Sequence, residues 1–161
     1  MLVFDLNGTL VKRFYKPNGI ITNYDYEYGK FYVLLRPYLR ELTNYLHIND
    51  LKYMFWTNAL AYNADNITQI LIKEGMRPVA HLDRQHCTFI KNVCKKDLSV
   101  VSKMHNINLS DIFLVEDMET RSVRGQNVIL VDKFDGDATD DALLTLIDDL
   151  KKIYEDKKNE S

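Results

Sequence analysis

Apolar runs of strand length recur at Met1 to Phe4, Leu51 to Trp56, Ile112 to Val115 and Val128 to Val131, and helical spacing fills most of the intervals. That alternation predicts an α/β fold, a Rossmann-like parallel sheet with helices on both faces. A first helix is expected from Pro37, with Leu39, Leu42 and Leu46 as its buried stripe. A second begins near Ala59, turns Ile67, Ile70 and Leu71 inward and stops at Gly75 and Pro78. A third follows Asp97, and a last runs from Asp140 to about Tyr154 with Leu143, Leu144, Ile147 and Leu150 on one face. Between the first strand and the first helix the pattern changes. Turn signals at Asn18-Gly19 and Gly29-Lys30 flank Tyr24-Asp25-Tyr26-Glu27-Tyr28. They predict a short β-hairpin insertion with the tyrosines on one face and the acids on the other.

A chain of 161 residues suits a single domain, read here as residues 1–155 followed by a charged tail over 156–161. Its net charge of -2 offers no general attraction to nucleic acid. No apolar run approaches the roughly 20 residues that cross a bilayer, and Met1 to Phe4 passes straight to Asp5 with no basic leader. A cytoplasmic or nuclear location is expected. Cys87 and Cys94 lack the spacing of a zinc site or a disulfide framework and read as buried thiols in a reducing compartment.

The chemistry gathers at strand ends. The first strand ends in Asp5 and breaks into a loop, Leu6-Asn7-Gly8-Thr9, while Phe113-Leu114-Val115 ends in Glu116 and Asp117. In open parallel sheets ligands bind beyond the carboxyl ends of the strands, so two acidic ends there suit a hard cation such as Mg²⁺. Tyr53 to Trp56 ends in Thr57 and Asn58, which add a hydroxyl and an amide to that edge. Lys96 precedes the third helix, where its ammonium is expected to share the positive field of the helix N-terminus. A phosphate monoester is nearly dianionic and repels a carboxylate until neutralised. These parts therefore point to a phosphoryl site with an aspartyl nucleophile.

Asp5-Leu6-Asn7-Gly8-Thr9 resembles the first motif, D-x-D-x-T, of the haloacid dehalogenase superfamily. Tyr32 to Pro37, Phe55-Trp56-Thr57-Asn58, Arg84-Gln85-His86-Cys87, Lys96-Asp97-Leu98-Ser99, Val115-Glu116-Asp117 and Asp140 to Leu144 resemble, in order, segments of the small phosphatases that act on the carboxy-terminal domain of RNA polymerase II. The resemblance implies roles residue by residue. Asp5 matches the nucleophile, Thr57 the hydroxyl that holds a phosphate oxygen, and Lys96 the charge-neutralising lysine. Asp117 matches the metal ligand of the last motif, with Glu116 beside it, Mg²⁺ as the metal and the carbonyl of Asn7 as a further ligand. Thr9 and Asn58 fall among the substrate-binding positions.

The departure is Asn7, where the family places an aspartate that protonates the leaving oxygen and later activates water. An amide does neither, and loss of such catalysis costs roughly 10² to 10⁴-fold. A naturally slow protein, an Asp-to-Asn change that traps an intermediate, and an acid supplied from elsewhere all remain open.

Nothing in the chain is long enough for a large cap domain, since 59–95 reads as a helix and core strands. An open site favours a phosphorylated side chain on an extended peptide, with RNA polymerase II repeats among the implied partners. In the resembling phosphatases an aromatic after the first motif lines a pocket for a substrate proline, and Tyr15 stands there with Phe14 beside it. Arg84 matches an arginine of the substrate groove. The implied function is a metal-dependent phosphoserine/phosphothreonine phosphatase slowed at Asn7. A silent phosphopeptide-binding module and a small-molecule phosphatase are the alternatives.

Overall fold

A computed structural model describes residues 1–19 and 23–159, with side chains through Glu155. Its centre is a five-stranded parallel sheet built from β1 (Leu2–Phe4), β5 (Tyr53–Trp56), β6 (His81–Leu82), β9 (Phe113–Glu116) and β10 (Asn127–Leu130), in the order β10-β9-β1-β5-β6. Leu2, Phe4, Tyr53, Phe55 and Val115 pack on one face against α1 (Leu39–Ile48), α2 (Ala61–Lys73) and α4 (Ala142–Asn159). Val3, Met54, Trp56 and Leu114 fill the other face with Leu98 and Val101 of the α3 region (α3, Ser99–His105). Helices on both faces are therefore as the periodicity predicts, because these strands alternate between two apolar environments.

The insertion after β1 is a separate three-stranded sheet, β2 (Val11–Tyr15), β3 (Tyr26–Tyr28) and β4 (Phe31–Leu35), in the order β2-β4-β3. Gly29-Lys30 makes the expected hairpin, with Tyr28 opposite Phe31. Asn18-Gly19 does not. Lys16–Asn18 is a 3-10 turn and β2 pairs with β4, so no hairpin forms between β2 and β3. Tyr26 and Tyr28 pack on the main core, whereas Tyr24 precedes the strand, is exposed and sets its ring 4.2 Å from that of Tyr32 at a tilt of 30°. No large cap is present among the described residues.

Other differences are local. Pro37 lies in the turn before α1 because Tyr38, at φ 68°, breaks the helical path between it and Leu39. Leu144 is exposed, and Leu146 takes its place in the core, following the 3.6-residue period more closely. The helical backbone of α4 runs through Asn159, into the segment read as a tail. The interval 59–95 is only partly core: β7 (Thr88–Ile90) and β8 (Val93–Lys95) form their own hairpin, with all three β7 residues exposed. No helix among the described residues is long and apolar enough to cross a membrane.

Candidate active site

Strand alternation decides which way the carboxylates point. Phe4 faces the larger core and Val3 the smaller, so Asp5 emerges on Val3's side; Val115 and Leu114 place Glu116 likewise. Phe4 is paired with Val115, and Asp5 N donates to Val115 O at 2.9 Å, which sets Asp5 and Glu116 side by side. Lys96 closes the group. It is wholly buried, and its Nζ donates to Asp5 Oδ1 at 2.8 Å and Glu116 Oε2 at 2.6 Å. Thr9, also buried, donates through Oγ1 to Asp5 Oδ2 at 2.9 Å. The ammonium thus bridges two carboxylates, not the field of the short α3 as the sequence suggests.

Burial alone would lower the proton affinity of Lys96, but the charges and hydrogen bonds of Asp5 and Glu116 outweigh it, raise its pKa and hold the ammonium charged. Burial and the charge of Asp5 push the Glu116 carboxyl up to about 8 even though Lys96 pulls the other way. The same two causes, in the same order, carry Asp117 to about 6. One ammonium cannot neutralise three carboxylates. Ligand oxygens of Asp5, Glu116 and Asp117 lie within 4.8 Å of one another, a hard-oxygen set with excess negative charge that fits Mg²⁺. Calorimetry should therefore detect Mg²⁺ at millimolar concentration, with thermal stability rising alongside. Asp117→Ala should remove most of both effects.

The loop after Asp5 is tightly held. Gly8 adopts φ +91°, and a Cβ there would lie 2.5 Å from Asp117 Oδ2. Gly8→Ala should therefore destabilise the fold by more than about 1 kcal/mol, since an incompatible φ adds to the clash. Mg²⁺ affinity should fall with it as Asp117 is displaced; unfolding curves and calorimetry on the same variant test both. Phe134 N donates to Gly8 O at 2.8 Å. Arg36, almost completely buried, donates to Thr9 O at 3.0 Å and, more weakly, to Gly8 O at 3.4 Å, while forming a bidentate pair with Asp140 at 2.8 and 3.0 Å. Asn7 is the exposed member of this loop. Its Oδ1 accepts from Arg13 N at 2.9 Å, so β2 holds the amide.

Thr57 is buried one residue past β5 at the same sheet edge, and its Oγ1 accepts from Ala59 N at 3.2 Å. Asn58 follows it, partly buried. The hydroxyl has therefore a local turn partner, and among the described residues no hydrogen bond joins it to Asp5.

The family model for NLI interacting factor-like phosphatases matches residues 1–160. The chain belongs to this family. No curated protein sequence matches it. Among solved structures, a fission yeast RNA polymerase II CTD phosphatase, an Fcp1 variant bound to beryllium fluoride, superposes with a TM-score of 0.60 at 16% identity over 99% of this chain and 51% of that one. A structure of Fcp1, an essential RNA polymerase II CTD phosphatase, gives 0.60 at 14% identity over 94% and 46%. At these identities the likeness is one of fold, and the chain spans about half the length of those structures.

Within this NLI interacting factor-like domain, the two expected substrate elements are exposed and are not part of the buried cluster. Tyr15 is exposed at the end of β2, 5.7 Å from the Phe31 ring. Phe14 points to the opposite face of that sheet, where its ring would lie 3.1 Å from a Cβ on Gly136, so the two aromatics do not share a pocket. Arg84 is exposed, its guanidinium 5.9 Å over Phe89 and its backbone N bonded to Ala59 O, in the loop that follows Thr57.

Two supporting residues escaped the sequence reading. Arg36 falls inside the Tyr32 to Pro37 segment with no role of its own in the sequence, and only the Asp140 pairing, 104 residues away, shows what it holds. Gln126 donates to Lys96 O at 2.8 Å and accepts from Leu98 N at 2.9 Å, fixing the backbone that carries the ammonium. No local pattern marks either one.

Proposed function

We propose that this chain is a metal-dependent phosphoserine/phosphothreonine protein phosphatase that works through an aspartyl phosphate on Asp5 and turns over slowly because of Asn7. The observation that carries the reading is the buried Lys96 between Asp5 and Glu116, with Asp117 completing the acidic cluster. A fully buried lysine held by two carboxylates at the end of parallel strands is a costly arrangement for structure alone. It suits a site that must neutralise an incoming phosphate.

In the first half-reaction an Asp5 carboxylate oxygen attacks phosphorus and the bond to the substrate oxygen breaks. Lys96 and Thr9 hold Asp5 in place by bonds to opposite oxygens, so little reorganisation precedes attack. Thr57 and Asn58 are assigned to phosphate oxygens from the neighbouring strand end. The departing serine or threonine oxygen needs a proton, and Asn7 has no carboxyl to give it. In the second half-reaction water attacks the phosphorus of the aspartyl phosphate, releasing inorganic phosphate and regenerating Asp5. There the missing group is a base. Asp5, Glu116 and Asp117, with the Asn7 carbonyl, would hold Mg²⁺, which when bound supplies positive charge against the phosphate and the crowded carboxylates.

The open site and the CTD phosphatases among the structural neighbours support a phosphorylated peptide as substrate, with RNA polymerase II carboxy-terminal repeats the first to try. Tyr15 and Arg84 are assigned to that peptide. A panel of phosphopeptides beside sugar phosphates and nucleotides, each with and without Mg²⁺, tests the assignment. Mg²⁺-dependent reaction confined to the peptides is the expected result, and preference for a small molecule would refute it.

A second reading, a phosphopeptide receptor without turnover, is favoured by Asn7 itself, whose amide accepts from Arg13 N and has no carboxyl with which to move a proton. It predicts peptide binding with no phosphorylation of Asp5.

A further inference from the structure

We propose that a cleft bounded by Arg84 and Arg121, on the segments that run into Lys96 and on from Asp117, binds a second phosphate of the same peptide. The inference rests on the phosphopeptide reading and adds to it a preference for doubly phosphorylated chains. The cleft measures about 350 Å³, with Phe89 and Met118 among its apolar walls and Arg84 and Arg121 as its charged residues; no acidic side chain lines it. Among the described residues neither guanidinium belongs to an ion pair. Two uncompensated arginines around one cleft, on a chain of net charge -2, select an anion.

The cleft is built onto the elements that carry the chemistry. Met118 follows Asp117 directly in sequence, and Cys94, another lining residue, lies two positions before Lys96. Lys96 N donates to Arg121 O at 2.7 Å, and Arg84 N donates to Ala59 O at 2.9 Å, so each arginine backbone is tied to a segment bearing a site residue. Arg121 spends one donor on Cys94 O at 3.3 Å. The Arg84 side chain makes no hydrogen bond within the described residues and rests over Phe89. Planar guanidinium groups pair with phosphate oxygens through parallel N–H donors, and the exposed rings of Phe89 and Met118's thioether give the peptide between the two phosphates an apolar surface.

The test measures binding of singly and doubly phosphorylated versions of one peptide by fluorescence anisotropy, to the native protein, Arg121→Gln and Arg84→Gln. The doubly phosphorylated peptide should bind native protein roughly tenfold or more tightly, by a margin that shrinks with salt. Each variant should bring the ratio towards one. Should Arg121→Gln lose its fold with its Cys94 contact, as an unfolding curve would reveal, Arg84→Gln decides. Equal binding of both peptides by native protein, or an undiminished ratio in a folded variant, overturns the inference. Phosphorylation of Asp5 by an aryl phosphate, followed separately, reports on the phosphatase reading and can fail while the binding preference stands.

Discussion

Replacing Asn7 with aspartate should raise steady-state phosphatase turnover by roughly 10² to 10⁴-fold, the usual contribution of a positioned acid-base group. The loop is prepared for it. Gly8 and Thr9 are held by Arg36 through their carbonyls, and the Asn7 oxygen that accepts from Arg13 N has a direct counterpart in an aspartate. Turnover on a phosphopeptide with a poor leaving group should gain most, since both half-reactions then use the new carboxyl. An activated aryl phosphate needs little proton donation, so there the gain should fall mainly on hydrolysis. Asn7-Gly8 is a sequence prone to deamidation, so intact mass must accompany the assay of native protein. No gain in Asn7→Asp with Mg²⁺ present would mean that the site is not limited by this residue.

Lys96→Met should produce the largest loss of stability of any single change at the site, about 3–5 kcal/mol without Mg²⁺. It removes the one cation between Asp5 and Glu116 and leaves both carboxylates buried, with Asp117 close by. Burial already drives Glu116 towards its neutral form with the lysine present, so without it the group should protonate instead of ionising. Millimolar Mg²⁺ should recover part of the stability, because a cation bound in the cluster replaces the missing charge. It should not restore phosphorylation of Asp5. Denaturant unfolding with and without Mg²⁺, beside the aryl phosphate burst, separates the two effects. A loss below about 1 kcal/mol would show that the buried pair is not what organises the cluster.

Much of this site is legible in sequence because strand ends announce themselves. Asp5 and Glu116 each terminate an apolar run, and the alternation that buries Phe4 and Val115 also fixes the side on which the acids emerge. Lys96 is different. Its backbone precedes a helix as expected, yet its partners lie 91 and 20 residues away and its backbone is held by Gln126 and Arg121, which the chain's periodicity does not reveal. Arg36 is hidden for the same reason: the segment before Pro37 gives it no role, and only tertiary pairing with Asp140 makes it a clamp. The insertion was readable as β structure from its alternating tyrosines, but strand order was not, since β2 reaches β4 across the intervening segment. Residues 20–22, inside that insertion, lie outside the described residues.

Catalysis through an aspartyl phosphate requires that Asp5 itself become phosphorylated. Native protein of verified mass, mixed with a molar excess of an activated aryl phosphate in Mg²⁺, should release a burst approaching one phenolate per chain and then turn over slowly. Acid quenching and peptide mass spectrometry should locate one phosphoryl group on Asp5, absent from Asp5→Asn. A folded, Mg²⁺-bound protein that shows no burst, or carries its phosphate on another residue, would contradict it.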